Sequence, residues 1–509
     1  MRGPHNIWRL IRTGATLERT GAMTVVMEAF NAPLPVRAVV RAVVWPFRWI
    51  GIKGDPAMPP ATRALTALGP AYIKFGQVLS TRPDVVGEAL ANQLRVLQDS
   101  LPPFPLEVAK ASIASELEQP WDAVFSEISE PVAAASIAQV HKARLRDTGE
   151  YVAIKVLRPG IERAFRKDVD AFHLAAWLIE HLPGGRRLRP RDVITHFEGV
   201  VLGELDLRLE SASAAEFAAN TKDDKGFRLP EIKWRHSARR VMTLGWVEGA
   251  PMGDNAALDA AGHNRAELGE RVLRLFLMHA LRDGYFHGDM HQGNMKVGAD
   301  GAIIAFDFGI MGHIDEYTRR VYAQILFGFI RKDYRRVAEV HFEAGYVPAN
   351  RDVDEFARAL RAVGEPIFGM NATQISMGRL LAYLFEVTER FGMETRTELI
   401  LLQRTMVVVE GVARSLNPQI NIWEVARPVV EDYIAKSIGP RATLRDLSRT
   451  AQVLARFGPR LPGLVEAALI RQSSPTRVEP TNSVLRTVIS GGAGAVLGAG
   501  LVLLTVWLS

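Results

Sequence analysis

The fold is constrained most by a pair of motifs beyond the middle of the chain. Residues 287–294 read H-x-D-x-x-x-x-N, and Asp307-Phe308-Gly309 follows after a short gap. Between them, two short apolar runs (295–297 and 302–306) flank the turn-forming sequence Gly-Ala-Asp-Gly. This pattern predicts a β-hairpin. Because a hairpin brings its two ends together, we expect Asn294 and Asp307 to lie side by side, as two ligands of one metal ion must.

A lysine lies upstream in a strand-like run, where residues 151–156 read Tyr-Val-Ala-Ile-Lys-Val. An unpaired Lys155 would be costly to bury, so it either reaches solvent or pairs with a carboxylate while it grips phosphate. The downstream motifs favour the second alternative, because the whole set is typical of protein-kinase-type phosphoryl transfer from ATP. In that arrangement Lys155 holds the α- and β-phosphates, and Asn294 and Asp307 hold Mg²⁺. Asp289 then orients or deprotonates the attacking water.

Length and composition limit the class of protein. A chain of 509 residues is too long for one hydrophobic core, so we expect two or more domains. Because the chain has no cysteine, a disulfide framework, a thiol nucleophile and a cysteine-ligated zinc site are excluded. The net charge of +6 comes from residues 1–54, where eight Lys and Arg face two Glu. No nucleic-acid recognition motif accompanies this charge, and we expect no nucleic-acid partner.

The basic N-terminal segment is also apolar and aromatic between residues 36 and 52. On a helix, Arg37, Arg41 and Arg48 would fall within about 40° of one another. Pro46 predicts a kink in that helix. Basic residues on one side and Val and Trp on the other predict an interfacial membrane element. The alternative is a helix docked on the body of the protein.

The C-terminal segment predicts a membrane anchor. Residues 487–508 carry no charge, and as a helix they would extend about 33 Å, enough to cross a bilayer core of about 30 Å. The spacing of Gly494 and Gly498 lets two helices approach closely, which predicts a homodimer contact. Arginines precede the segment and no charged side chain follows it, which places the catalytic body in the cytoplasm and the single span in the inner membrane. The alternative is a buried or swapped helix.

Proline and glycine clusters and changes of periodicity divide the chain into segments. We predict a basic amphipathic segment at 1–60, a helical extension at 61–130, an N-terminal lobe at 131–250, a C-terminal lobe at 251–440, a helical tail and linker at 441–486 and the anchor at 487–508. Strands are expected at 139–145, 151–157 and 240–247, and helices at 161–181 and 192–220. The predicted fold class is therefore α+β, a two-lobed protein-kinase-like fold with a helical N-terminal extension and a C-terminal transmembrane helix.

Several features differ from ordinary protein kinases. The loop before the lysine strand is alanine-rich where a kinase has G-x-G-x-x-G, and each added Cβ restricts the backbone near phosphate. Its residues, the candidate ATP-binding set together with Lys155, are Ala133, Ala134, Ala135, Ser136, Ile137, Ala138, Gln139 and Val140. Gly288 precedes the catalytic Asp289 where kinases have arginine, and no A-P-E sequence follows Asp307. Peptide docking and control by loop phosphorylation therefore lack their usual residues.

With these features the chain resembles the UbiB family of atypical kinase-like proteins. The resemblance covers about residues 60 to 440. The matching motifs, in order, are Lys74-Phe75-Gly76-Gln77 (K-x-G-Q), the alanine-rich loop, Lys155, Glu204-x-Asp206 (E-x-D), His287 to Asn294 and Asp307-Phe308-Gly309. One departure is Gln292, which stands where the family usually has proline, and we expect a looser catalytic loop there.

The resemblance implies an ATP-binding, Mg²⁺-dependent ATPase that supports ubiquinone biosynthesis at the bacterial inner membrane. Membrane lipid and polyprenyl-quinone precursors, or the enzymes of that pathway, are the implied partners, and ordinary protein kinase activity is not expected. The resemblance also implies that the K-x-G-Q segment packs over the place where a peptide substrate would lie. Lys74 and Gln77 would then have an occluding role.

Three carboxylates are candidate partners for the two lysines. On one continuous helix, Glu204 and Asp206 would be about 200° apart, whereas Asp206 and Glu210 would share a face. One carboxylate can therefore pair with Lys155 while another meets Lys74 or the metal. We favour Glu204 as the partner of Lys155, with Glu210 as the alternative.

Two other functions fit part of the pattern. The sequence His-Gly-Asp with a following Asn also resembles aminoglycoside and choline kinases, which would make the chain a small-molecule phosphotransferase. The alanine-rich loop, the K-x-G-Q segment and the anchor argue against that function. A nucleotide-sensing scaffold that binds lipids or enzymes without turnover is the second alternative, and the intact set of catalytic residues argues against it.

Overall fold

The computed structural model describes residues 4–30, 32, 34–80, 86–94, 97, 102–181, 189–368, 387, 390–393 and 397–437. The chain divides into two compact units. One contains residues 1–7, 69–78 and 96–439, and the other contains residues 8–68, 79–95 and 440–509.

Helices make up most of the residues that the structure describes. They are α1 (Pro4–Thr20), α2 (Ala22–Ala29), α3 (Leu34–Val44), α4 (Pro60–Leu68), α5 (Pro70–Ser80), α6 (Glu88–Leu94), α7 (Leu106–Leu117), α8 (Trp121–Val124), α9 (Ile161–Glu180), α10 (Pro190–Glu204), α11 (Leu207–Thr221), α12 (Asn255–Ala260), α13 (Arg265–Met278), α14 (Glu316–Ile330), α15 (Tyr334–Glu343), α16 (Val353–Phe368), α17 (Thr397–Leu416) and α18 (Ile422–Ser437). The strands are β1 (Phe125–Ala134), β2 (Ala138–Leu145), β3 (Tyr151–Leu157), β4 (Phe227–Arg228), β5 (Val241–Gly245), β6 (Ala250–Pro251), β7 (Tyr285–His287), β8 (Met295–Val297), β9 (Ile303–Ala305) and β10 (Met311–His313).

The larger unit begins its sheet structure with four antiparallel strands in the order β1-β2-β3-β5. Strand β3 has the predicted bounds because its β-branched and apolar residues suit a central strand, and Val152, Ile154 and Val156 are buried. Strand β1 was not predicted. It contains Pro131 and three irregularities of register, which are tolerated only because it lies at the edge of the sheet. The sheet buries an apolar face beneath helix α7.

The second part of this unit contains a four-stranded sheet in the order β4-β9-β8-β6, a two-stranded pair of β7 and β10, and helices α12 to α18. Between α13 and β7 the chain passes through a π-helix, His279–Asp283, that ends at Gly284. Gly284 has φ of 67°, and a Cβ there would lie 2.4 Å from the carbonyl oxygen of Ile314. Only glycine therefore allows β7 to enter the sheet and deliver His287 to the site. The kinase-like α+β fold agrees with the prediction.

The other unit contains most of the basic N-terminal segment. Helix α3 ends at Val44, and a 3₁₀-helix spans Trp45–Ile50 with Pro46 in its first turn. The predicted break at Pro46 is therefore present as a change from α-helix to 3₁₀-helix, because proline cannot continue the α-helical hydrogen bonding. Among the described helices, none is both long and apolar enough to cross a membrane. The predicted anchor at 487–508 lies outside the described residues.

Candidate functional site

Lys155 is the central residue of the site. Strand β3 holds it between Val140 of β2 and Met242 of β5, in an otherwise apolar run. Its Nζ atom donates hydrogen bonds of 2.7 and 2.9 Å to the two carboxylate oxygens of Glu210 and lies 3.6 Å from Asp307 Oδ2. Burial opposes the charged form, but Asp307 and Glu210 outweigh it and hold the pKa of Lys155 above its ordinary value. The site therefore contains a protonated lysine between two carboxyl groups.

The pairing of Lys155 with Glu210 corrects our preference for Glu204. The predicted continuous helix at 192–220 is two helices, because α10 ends at Glu204 and α11 begins at Leu207. Asp206 is the N-cap of α11 and accepts the backbone N–H of Arg208. Since the chain turns at this cap, the angular relations of a single helix do not apply. Asp206 also pairs with the Arg208 guanidinium, which lowers the pKa of its carboxyl, so it has a capping role here.

A second ion pair joins the K-x-G-Q segment to the kinase-like part of the chain. Lys74 on helix α5 lies 2.8 Å from Glu204, and the two side chains are only 13% and 15% exposed. Lys74 therefore pairs with Glu204, whereas Lys155 pairs with Glu210. The sequence predicted such a division of the carboxylates between the two lysines. Gln77 follows Lys74 by three residues on α5 and is half-buried. Lys155 is the main cause of the lowered pKa of Asp307, and Lys74 makes a small additional contribution.

Aromatic packing fixes helix α5 in place. The ring of Phe75 lies 5.0 Å from that of Phe172 on α9 and 5.1 Å from that of Phe197 on α10. Tyr72 meets Phe172 edge to face at 4.8 Å. Such contacts add to simple burial, each by about 1 kcal/mol. The helix that carries Lys74 is therefore attached through its apolar side, independently of the ion pair.

The predicted hairpin positions the two candidate metal ligands. Strands β8 and β9 pair with Met295 opposite Ala305, so Asn294 immediately precedes one strand and Asp307 lies just beyond the other. The amide nitrogen of Asn294 donates to the backbone oxygen of Asp289 at 3.1 Å, which leaves its amide oxygen for a cation. Lys155 lowers the pKa of Asp307, whose side chain is 42% exposed. One amide oxygen and one accessible carboxylate suit Mg²⁺, which takes few protein ligands besides phosphate oxygens.

The catalytic loop holds Asp289 from two sides. The backbone N–H of Asp289 donates to His287 Nδ1 at 3.0 Å, and Asn294 Nδ2 lies 3.4 Å from Asp289 Oδ2. Burial lowers the pKa of His287, which keeps its ring neutral, with the proton on Nε2 because Nδ1 accepts. The Asp289 side chain is 32% exposed, and it is thus accessible to a substrate.

Helix α17 braces this loop from outside the kinase motifs. Thr405 Oγ1 donates to the backbone oxygen of Gly288 at 2.9 Å, and Gln292 Nε2 donates to Ser415 Oγ. We expected Gln292 to loosen the loop because it replaces proline, and the structure contradicts this. The side-chain hydrogen bond to Ser415 ties residue 292 to α17 in a way that proline could not. Thr405 and Ser415 were not predicted, because no local pattern connects them to a loop more than 100 residues away.

The alanine-rich loop is a tight turn between β1 and β2. The N–H of Ala135 donates to the oxygen of Ala138 at 2.8 Å, while Ala134 and Gln139 already pair across the strands. Ser136 is fully buried, and its hydroxyl has no hydrogen-bond partner within the described part of the chain. An orphaned donor in a backbone turn suits a polyanionic ligand such as a phosphate.

Two side chains support this loop from behind. Arg158, which follows β3, donates through Nε and a terminal nitrogen to the oxygen of Ala135 at 3.1 and 2.9 Å. Its backbone N–H donates to the oxygen of Ile137 at 2.8 Å. Gln139, a predicted nucleotide contact, instead uses its buried side chain to bond the backbone of Phe104 in both directions, at 3.0 and 3.2 Å. Arg158 was missed because its partners are backbone oxygens, which leave no signal in the sequence.

Comparisons with known proteins agree with the kinase-like fold. The family model of the ABC1 atypical kinase-like domain matches residues 96–341, and that of the UbiB helical domain matches residues 360–421. A probable protein kinase UbiB of Marinobacter nauticus is 40% identical over 424 residues, which cover 82% of this chain and 77% of the relative. A probable protein kinase UbiB of Klebsiella pneumoniae is 38% identical over 483 residues, covering 92% and 88%.

One solved structure is also similar. It is the Rv3197–erythromycin complex from Mycobacterium tuberculosis, with a TM-score of 0.50 and 27% sequence identity. The match covers 70% of this chain and 90% of that chain.

Proposed function

The chain belongs to the UbiB family of atypical kinase-like proteins, and from that premise we propose that it is a membrane-anchored, Mg²⁺- and ATP-dependent ATPase that supports ubiquinone biosynthesis. The observation that carries the proposal is the position of Lys155 between Glu210 and Asp307. In kinases, phosphoryl transfer requires a lysine–glutamate pair on the N-terminal lobe and the aspartate of D-F-G at the metal. The lysine–glutamate pair is in place, and Asp307 beside it would supply the metal ligand.

Each residue of the site has a chemical role in this proposal. Lys155, held protonated, neutralises charge on the α- and β-phosphates. Asn294 and Asp307 would supply oxygen ligands to Mg²⁺, which when bound offsets the charge that develops on the γ-phosphoryl group. Asp289 orients water for attack and accepts its proton, and the hydrogen bond from Asn294 couples its position to the metal ligand.

Water, rather than a peptide hydroxyl, is the proposed acceptor. Helix α5 is fixed to α9 and α10 by aromatic packing and by the pair of Lys74 with Glu204. Moving it would break both a mostly buried ion pair and several ring contacts. Gly288 in place of arginine removes the usual reader of an activation-loop phosphate. These features support ATP hydrolysis over ordinary protein phosphorylation.

The proposed setting is the cytoplasmic face of a bacterial inner membrane. Residues 487–508 would supply a single-pass anchor, and Gly494 and Gly498 would allow two copies to associate through it. The relatives are named probable protein kinase UbiB and come from bacteria, which supports a bacterial setting. Polyprenyl-quinone precursors, or the enzymes that modify them, are the proposed clients.

Quinone profiling of a deletion strain tests the assignment. The strain is complemented with the wild-type chain, with Asp307→Asn or with Asp300→Asn, an exposed hairpin residue that serves as the matched control. We expect low ubiquinone in the deletion strain, and rescue by the wild type and by Asp300→Asn only. Normal ubiquinone in the deletion strain would remove the pathway assignment. Rescue by Asp307→Asn would instead favour a nucleotide-sensing scaffold.

A further inference from the structure

The last turn of helix α3 and the 3₁₀-helix that follows it present an unusual group of side chains to solvent. Val43, Trp45, Phe47 and Trp49 are 40%, 66%, 38% and 77% exposed. Arg41 and Arg48 lie among them and are also exposed. We call these six residues the aromatic tip. Large apolar side chains seldom cluster on a free surface, and such a cluster rimmed by polar groups marks an interaction site.

The backbone beneath the aromatic tip is firmly held. The Arg19 guanidinium donates to the carbonyl oxygens of Trp49 and Gly51, and the Ile52 N–H donates to Thr16 Oγ1 at 3.1 Å. Gly51 packs so closely on α1 that a Cβ there would lie 2.4 Å from the oxygen of Ala15. The 3₁₀-helix at Trp45–Ile50 has no buried residue of its own. Its side chains are therefore displayed by a fixed backbone and are not part of a core.

The segment that carries the aromatic tip has charged residues of one sign only. Residues 29–54 contain no Asp or Glu, and they contain four cationic residues, Arg37, Arg41, Arg48 and Lys53. Arg37 and Arg41 approach Glu28 and Glu18 on neighbouring helices only at 3.8 and 3.9 Å, and the Arg41 side chain remains 54% exposed. A second copy of this chain would set arginine against arginine, which disfavours self-association through this surface.

We infer that the aromatic tip inserts into the interface of a bilayer rich in anionic lipid. Tryptophan favours the headgroup level of a membrane, and arginine beside it attracts anionic headgroups. The contact would lie in the plane of the membrane and would be separate from the predicted span at 487–508. It gives the protein a second point of attachment and does not depend on the ATP site.

The absence of cysteine allows a direct test on the full-length chain. The chain with Trp49→Cys is labelled with an environment-sensitive fluorophore and placed in vesicles of phosphatidylglycerol and phosphatidylcholine. Trp234→Cys is the matched control, since Trp234 is 53% exposed in the other unit. We expect a blue shift and several-fold stronger quenching by shallow brominated lipids at position 49 than at position 234. Equal, weak quenching at both positions on vesicle-bound protein would overturn the inference.

A charge comparison separates lipid insertion from other apolar contacts. In Trp49→Cys, the additional changes Arg41→Gln and Arg48→Gln should abolish the increase in quenching that phosphatidylglycerol produces over phosphatidylcholine alone. The changes Arg335→Gln and Arg390→Gln, at two side chains that are each 67% exposed, should leave that increase intact. A blue shift that appears without vesicles and grows with protein concentration would show a second copy at the aromatic tip, and would also overturn the inference.

Discussion

Lys155 and Glu210 form a two-point ion pair, with the lysine Nζ 2.7 and 2.9 Å from the two carboxylate oxygens. A separate pair joins Lys74 to Glu204 at 2.8 Å. The break between α10 and α11 separates the two glutamates, so that one serves the phosphate site and the other secures the K-x-G-Q helix.

The two glutamates should therefore differ in their effect on ATP turnover. Glu210→Gln leaves Lys155 to pair with Asp307, which then competes with the metal, and turnover should fall by about tenfold or more. Loss of one partner of this buried pair should also lower the free energy of unfolding by about 3 kcal/mol. Glu204→Gln should preserve turnover, because the aromatic contacts of α5 hold that helix without the ion pair. Steady-state ATPase assays and denaturant unfolding check both variants, and equal loss of turnover in the two would refute the division of roles.

Gln292 should be replaceable by proline but not by alanine. It is the first residue of the 3₁₀ turn Gln292–Asn294, and His291 before it has the extended conformation (φ −82°, ψ 161°) that proline requires of its predecessor. Gln292→Ala loses the tie to Ser415 and should lower kcat several-fold through the position of Asn294. Gln292→Pro should restore it by fixing the backbone directly. If kcat is unchanged in Gln292→Ala, the hydrogen bond to α17 does not position the loop.

Arg158 should control nucleotide affinity through the alanine-rich loop. Arg158→Gln removes the guanidinium from the Ala135 oxygen, and since a charge-assisted hydrogen bond contributes about 1.5–3 kcal/mol, affinity for ATP should fall about tenfold or more. Arg144→Gln is the control, because Arg144 donates to Gly149 at the opposite end of β2. Calorimetric titration with ATP measures the affinity of each variant. Equal affinities for the Arg158 and Arg144 variants would show that the loop does not need this support.

His341 should make the fold sensitive to acid. Burial lowers its pKa from 6.5 to about 4, while its Nδ1–H is held by the Val337 oxygen at 2.7 Å. The unfolded chain binds the proton more tightly than the folded chain does. The contribution of the neutral ring to the free energy of unfolding is therefore complete above pH 6.5 and is lost as the pH falls towards 4. The loss amounts to about 3 kcal/mol. Denaturant midpoints of wild type and His341→Leu, measured between pH 7 and 4, should converge as the pH falls. If the midpoints of the two proteins instead fall in parallel with pH, His341 is not the source of the acid sensitivity.

Patterns within short stretches of sequence predicted those parts of the site that are formed by residues close together in the chain. Strand β3 and the hairpin around residues 298–301 follow from apolar alternation and turn residues, and they place Lys155, Asn294 and Asp307 as expected. The pairing of Glu210 was harder, although Asp206 is a favoured N-cap residue and gave a signal of the helix break. Arg158 and Ser415 act through contacts distant in sequence, which no local pattern encodes.

The central claim is that Asp307 holds the metal for ATP hydrolysis, and Asp307→Asn tests it most directly. A neutral amide is a poor replacement for an anionic ligand, so Mg²⁺-dependent ATP turnover by the purified full-length chain should fall to background. Metal-free nucleotide binding should persist, since Lys155 keeps its pair with Glu210. Asp300→Asn, in the same hairpin, should retain full turnover. Undiminished Mg²⁺-dependent turnover in Asp307→Asn would contradict the account.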